Sequence, residues 1–212
     1  MAADAFARSV TGGLGAADVG GPWTVQFGGS RQSVTPGVGT LQLNGPSNST
    51  GSFLGGVAQT DIDLRTTLAL EGTPSGGGAY VYVAGRRISA TEQYRAQLRF
   101  LADGTVRVAV TRLGGSTNDV LIGGEVVVPG VSSTAGTPLN VRLQISGTGT
   151  TELAATVWAA GTDEPTTPTL TRTDGTPSLQ AAGGVGVSSY LSGSATAPVA
   201  VRLTAFEVRV AG

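Results

Sequence analysis

Tyr94-Arg95-Ala96-Gln97-Leu98-Arg99-Phe100-Leu101, then Ala102-Asp103-Gly104, then Thr105-Val106-Arg107-Val108-Ala109-Val110 reads as two strands joined by a tight turn. Tyr94, Ala96, Leu98 and Phe100 alternate with Arg95, Gln97 and Arg99, and Val106, Val108 and Val110 repeat the pattern. Successive side chains of a strand point to opposite faces, so this alternation describes a sheet with one dry and one wet face. The Asp-Gly between the runs is a hairpin signal.

The same period of two extends outward in both directions. Leu64, Thr66, Leu68 and Leu70 show it, as do Tyr80 and Tyr82, then Val141, Leu143 and Ile145. Leu153, Ala155 and Val157 follow, and Val199, Val201 and Leu203 close the chain. Glycine-rich and proline-rich turns separate these runs, among them Pro74–Gly78, Pro129-Gly130, Ser146–Gly149 and Asp174-Gly175. Short strands at regular spacing between such turns mean an all-β sandwich or barrel. The only helix candidate is a turn near Ser178–Ala182. No linker divides the chain, so residues 1–212 are expected to form one domain.

Composition removes several chemistries. There is no Cys and no His, which excludes disulfides, thiol nucleophiles, Ser-His-Asp triads and the common zinc sites. The net charge is −1 and no basic run exists, so nucleic acid is not an expected partner. No apolar run approaches the roughly 20 residues of a membrane helix, and no membrane partner is expected. All 13 cationic residues are Arg, which reads as the codon bias of a GC-rich genome. The N-terminus, Met1-Ala2-Ala3-Asp4-Ala5-Phe6, lacks the charged and apolar regions of a signal peptide.

Several segments together resemble one family. These are Asp4–Arg8 with Gly20-Gly21 and Trp23, the hairpin around Ala102-Asp103-Gly104, Leu153–Ala159 followed by Glu164-Pro165, Ala181–Gly186, and Tyr190–Gly193. In order and spacing they resemble the LamG-like, concanavalin A-like jelly rolls of actinobacterial secreted proteins and actinobacteriophage minor tail proteins. The resemblance covers nearly the whole chain. It implies a two-sheet antiparallel jelly-roll sandwich with adjacent terminal strands and with Phe6 and Phe206 buried. Members often hold a structural calcium between the N-terminal Asp and carboxylates of the last strand. That strand here reads Leu203-Thr204-Ala205-Phe206-Glu207, without the carboxylates, so neither a metal nor another cofactor is expected.

Two chemistries remain to be weighed. Glycosidases of this fold use two carboxylates flanking one bond. The nearest match is Asp61-Ile62-Asp63, but the family's last acid is Thr66 here. A solvated strand face explains the pair as well, so no catalytic residue is assigned and the chain is expected to be non-catalytic. Glycan binding needs planar hydrogen bonders and an aromatic platform. Arg95, Gln97 and Arg99 share one polar face, Arg107 lies on the next strand, and Arg142 and Gln144 on another. Trp158 points outward if Leu153, Ala155 and Val157 point inward, and it is the expected platform; an ordinary solvated face with Trp158 under a loop is the alternative. Trp23, Tyr80 and Tyr82 read as core; Arg86-Arg87, at a strand end, read as solvated, with a place on the ligand surface as the alternative.

Two functions therefore stay open. One is an actinobacteriophage virion protein, in the tail or on the outer surface, that contacts other virion subunits or itself and takes cell-wall polysaccharide. The start of the domain at Met1 without a signal favours this reading. The other is a carbohydrate-binding module of a secreted actinobacterial protein.

Overall fold

A computed structural model describes residues 1–196 and 198–211. In chain order the strands are β1 (Ala2–Asp4), β2 (Val10–Thr11), β3 (Thr24–Phe27), β4 (Gln32–Thr35), β5 (Val38–Leu43) and β6 (Ser49–Gln59). The long central strands follow: β7 (Ile62–Glu71), β8 (Ala79–Ser89), β9 (Glu92–Phe100) and β10 (Thr105–Gly114). The remainder are β11 (Val120–Leu121), β12 (Val126–Ser132), β13 (Leu139–Ser146), β14 (Thr151–Ala159), β15 (Leu170–Asp174), β16 (Gly183–Leu191) and β17 (Val199–Val210). The helical turn foreseen near Ser178 is a 3-10 turn over Pro177–Leu179.

The strands form two antiparallel sheets. The front sheet runs β11-β10-β9-β8-β16-β6-β3, with β12 on the same edge of β10. The back sheet runs β15-β14-β13-β7-β17-β5-β4-β2, with β1 on β17. The terminal strands are neighbours, Ala2 opposite Val208 and Asp4 opposite Phe206. This is the two-sheet antiparallel jelly-roll sandwich expected from the sequence.

The alternating residues build the core between the sheets. Tyr94, Ala96, Leu98 and Phe100 of β9 and Val106, Val108 and Val110 of β10 are buried, and Leu64, Val141, Leu143, Ile145 and Leu153 meet them from the back sheet. Phe6 and Phe206 are buried as expected. Gly85 also faces inward: a Cβ there would lie 2.4 Å from Ile62 Cδ1 and 2.7 Å from Ile145 Cδ1, so the sheets close in only on a glycine. The hairpin turns as the sequence suggests, with Gly104 at φ 86°. The Asp103 carboxylate accepts the Thr105 N–H at 2.9 Å, which fixes the corner.

Arg86 corrects an expectation. It reads as solvated in the sequence, yet it is fully buried. The pairing of β8 with β9 shifts register after Gly85, and Arg86 there has φ 46°. A bulge inserts an extra residue and re-aims its side chain. The guanidinium turns under the end of the sandwich and donates to Thr60 O at 2.9 Å, Gly147 O at 2.8 Å, Leu179 O at 3.2 Å and Thr151 Oγ1 at 2.8 Å. Burial lowers its pKa.

Tyr94 sits beside it in the core and donates to Asp174 Oδ1 at 2.9 Å. Burial first, then the Asp174 carboxylate, push the Tyr94 phenol from 10.0 up to about 12. A group whose pKa is raised on folding contributes stability that is complete below its unfolded pKa and is lost as pH climbs through the folded value. The urea midpoint should therefore fall as pH rises from 10 towards 12. Tyr94→Phe should make that fall shallower than in the wild type; an unchanged pH profile in the variant would count against the assignment.

Candidate functional site

The outer face of the front sheet gathers most of the aromatic side chains that lie outside the core. Because Ala79, Val81 and Val83 fill the interior, Tyr80 and Tyr82 point outward, which corrects their reading as core. The register sets Arg107 opposite Arg99, Arg99 opposite Tyr80, and Tyr80 opposite Tyr190. The next row sets Ala109, Gln97, Tyr82 and Ser188 side by side. Tyr80 and Tyr82 lie nearly parallel, centroids 6.3 Å apart and planes 10° apart, and Tyr190 lies 5.9 Å from Tyr80.

Arginines cover these rings. Arg95 lies 4.3 Å over Tyr82, Arg99 5.3 Å from Tyr80, and Arg87 3.7 Å over Phe53. Guanidinium planes over rings form cation–π contacts and hold both groups in place. The segment from β10 to β12 adds two acids. Asp119 pairs with Arg95 at 2.6 Å, and Glu125 accepts from Gln97 at 3.0 Å and from Arg99 at 3.5 Å. Together Tyr80, Gln97, Arg99 and Arg107 from the sheet, and Asp119, Leu121 and Glu125 from that segment, line an open cleft of about 510 Å³. Burial raises the phenol pKa of Tyr80 and of Tyr82, so both remain neutral hydrogen-bond donors at ordinary pH.

Of the six residues singled out in the sequence, Arg95, Gln97 and Arg99 lie together on this face. Arg142, Gln144 and Trp158 lie on the outer face of the back sheet and so cannot join them. Arg142 donates to both Asp63 oxygens at 2.8 and 2.6 Å and to Glu164 at 2.7 Å, and Arg65 reaches the same two acids. That network holds the loop after β14 against the sheet. Trp158 does point outward, opposite Asn140, but only 9% of it is exposed, and Pro165 and Pro168 share its cleft. The expected platform is thus covered by a loop. Gln144 lines a shallow cleft with Glu152 and Pro168.

The other candidates are accounted for. Trp23 is core, its indole N–H donating to Asp4 at 2.7 Å and its ring edge-on to Phe206. The acids of Asp61-Ile62-Asp63 do not face a common cleft: Asp63 is taken by Arg142, and Asp61 accepts from Gly147 N at 3.1 Å. Asp4, where the resemblance would place a calcium ligand, accepts from Arg8 on both oxygens at 2.7 Å and also accepts from Phe6 N at 2.8 Å. A guanidinium already neutralises the carboxylate, so these residues do not fit a metal ligand set. Excess chelator should leave the thermal midpoint unchanged within 1 °C, roughly the error of such scans; a drop of many degrees would show a cation held elsewhere.

The sequence reading missed Tyr190, Phe53, Asp119 and Glu125. Tyr190 alternates with Ser188, a signal that could have been used. Asp119 and Glu125 lie in a segment with no periodicity to read.

No protein-family model matches the chain, and no curated protein matches it in sequence. Its fold does match solved structures. The carbohydrate-binding module CBM66 from Bacillus subtilis superposes with TM-score 0.57 at 13% identity, over 87% of this chain and 95% of that one. The VIP36 exoplasmic/lumenal domain, in a Ca2+/Man3GlcNAc-bound form, gives 0.61 at 9% identity, over 90% and 84%. This is a lectin-like jelly roll. A β-glucanase from Bacillus licheniformis also matches, with TM-score 0.58 at 12% identity over 96% of this chain and 95% of that one. That match corrects the expectation of a non-catalytic protein. The same sandwich, nearly end to end, carries glycoside hydrolases, so the fold provides no ground for setting enzymatic chemistry aside.

Proposed function

We propose that the lectin-like jelly roll binds carbohydrate on the outer face of its front sheet. The observation that supports this most is the parallel pair Tyr80–Tyr82, flanked by Arg95, Gln97 and Arg99 beside an open cleft. Sugar rings stack their C–H faces on aromatic rings, while planar guanidinium and amide groups bond the hydroxyls. The carbohydrate-binding module CBM66 and the Man3GlcNAc-bound VIP36 domain, which share the fold, add support.

Binding to a panel of soluble polysaccharides, measured by affinity electrophoresis, tests the reading. Tyr80→Ala and Arg99→Ala should each weaken retention by at least 10-fold, about 1.4 kcal/mol. Trp158 variants that stay folded should bind like wild type. Retention that is equal in all of them would reject the front face.

The setting we propose for this surface is an actinobacteriophage virion that meets cell-wall polysaccharide, where many weak sites act through avidity. The arginine-only basic composition supports it. Genes for tail proteins beside the coding sequence are the expected finding, and a neighbouring glycosidase gene would point instead to a module of a secreted protein.

A further inference from the structure

We infer that the glycan taken by the front face is an acidic one, an inference that rests on the glycan-binding reading above. The 13 arginines differ in their partners. Eight pair with carboxylates. Arg31, Arg172 and Arg202 bond carbonyl or hydroxyl oxygens. Among the described residues, Arg87 and Arg107 alone have neither an ion pair nor a hydrogen bond. Both stand on the outer face of the front sheet, and the Nε of each is buried without an acceptor. Arg95 on the same face shares the feature, as do Arg31 and Arg202 elsewhere, but those three each have another polar partner.

The placement is costly. Arg107 lies directly opposite Arg99 across β10 and β9, and like charges in that position destabilise a sheet. Glu125 offsets it only loosely, 3.5 Å from Arg99 and shared with Gln97. Four arginines, Arg87, Arg95, Arg99 and Arg107, thus meet Asp119 and Glu125 on the face and Asp103 at the turn beside Arg107, leaving a surplus of +1 there on a chain whose net charge is −1. The back sheet solves the same problem without a surplus: Arg65 stands opposite Arg142, but Asp63 and Glu164 neutralise both. An unpaired guanidinium in one row with Arg99, Tyr80 and Tyr190, as Arg107 is, suits a polymer that offers anionic groups and sugar faces together. Carboxylate, sulfate and phosphate all accept two parallel N–H bonds from such a fork.

Affinity electrophoresis against four probes separates the sources: polygalacturonate for carboxylate, dextran sulfate for sulfate, dextran as the neutral glycan, and oligo-dT for a polyanion without the sugar surface. The inference expects retention by at least one acidic glycan at least 10-fold above dextran, weakening as salt rises. Arg107→Ala and Arg107→Gln should each lower it about 5-fold without lowering the melting temperature, because Arg107 has no ion pair or hydrogen bond to lose and its charge opposes Arg99; Arg87→Ala should weaken retention likewise, while its melting curve also reads the loss of the contact with the Phe53 ring. Dextran retained as strongly as the acidic probes, with the arginine variants silent, overturns the acidic ligand and leaves the glycan face standing. Oligo-dT retained as strongly as the acidic glycans overturns it in favour of a general polyanion surface. No retention by any glycan overturns the glycan reading itself and this inference with it.

Discussion

Arg86→Ala should destabilise the protein by about 3–5 kcal/mol, the largest single effect expected outside the aliphatic core. The side chain is fully buried and serves three backbone carbonyls and one hydroxyl. Removing it strands Thr60 O and Leu179 O beneath the end of the sandwich, while Gly147 O keeps a bond from Thr151 Oγ1 at 3.3 Å; each orphaned buried acceptor costs about 1–3 kcal/mol unless water reaches it. In a chain of this size the loss corresponds to a fall in melting temperature of about 10 °C. The backbone adds a finer test. Arg86 has φ 46°, which glycine adopts without strain and alanine does not. Arg86→Gly should therefore melt above Arg86→Ala although both lack the guanidinium. Equal melting of the wild type and both variants would show that the bulge tolerates an empty space.

Trp158→Ala should lower stability by about 3 kcal/mol while leaving ligand binding at the front sheet intact. The residue lies on the outer face of the back sheet under the loop that carries Glu164, Pro165 and Pro168. Its truncation would empty the space beneath that loop, and the Arg142–Glu164 and Arg65–Glu164 bonds that hold the loop would lose their footing. Urea denaturation and polysaccharide retention measured on one preparation separate the two roles. Lost retention with unchanged stability would make Trp158 an exposed platform after all.

These cases show how far alternation in a sequence can be read. Tyr94, Ala96, Leu98 and Phe100 on one side and Arg95, Gln97 and Arg99 on the other sort as the sequence implies, because a strand's period is fixed at two. Alternation does not say to which sheet a strand belongs. Arg142 and Trp158 therefore seem in the sequence to extend the surface of Arg95 and Arg99, although β13 and β14 lie in the opposite sheet. Tyr80 and Tyr82 share one face, and in the sequence that face reads as core. The smaller Ala79, Val81 and Val83 occupy it, and the half-buried rings outside each carry one arginine beside them. Arg86 breaks the period through a bulge, and a bulge is a consequence of pairing that no single strand displays. The loop acids Asp119 and Glu125 depend wholly on where the chain returns after β10.

The protein's four tyrosines offer a direct measurement of the front face. Three of them, Tyr80, Tyr82 and Tyr190, share that face, and Tyr94 is buried in the core. Ring resonances of tyrosine-labelled protein can be followed by NMR while an acidic polysaccharide oligomer is added. Saturable shifts of Tyr80, Tyr82 and Tyr190, with Tyr94 and the Trp158 indole unmoved, are the predicted result. Shifts confined to Trp158, with the three tyrosines unchanged, would contradict it.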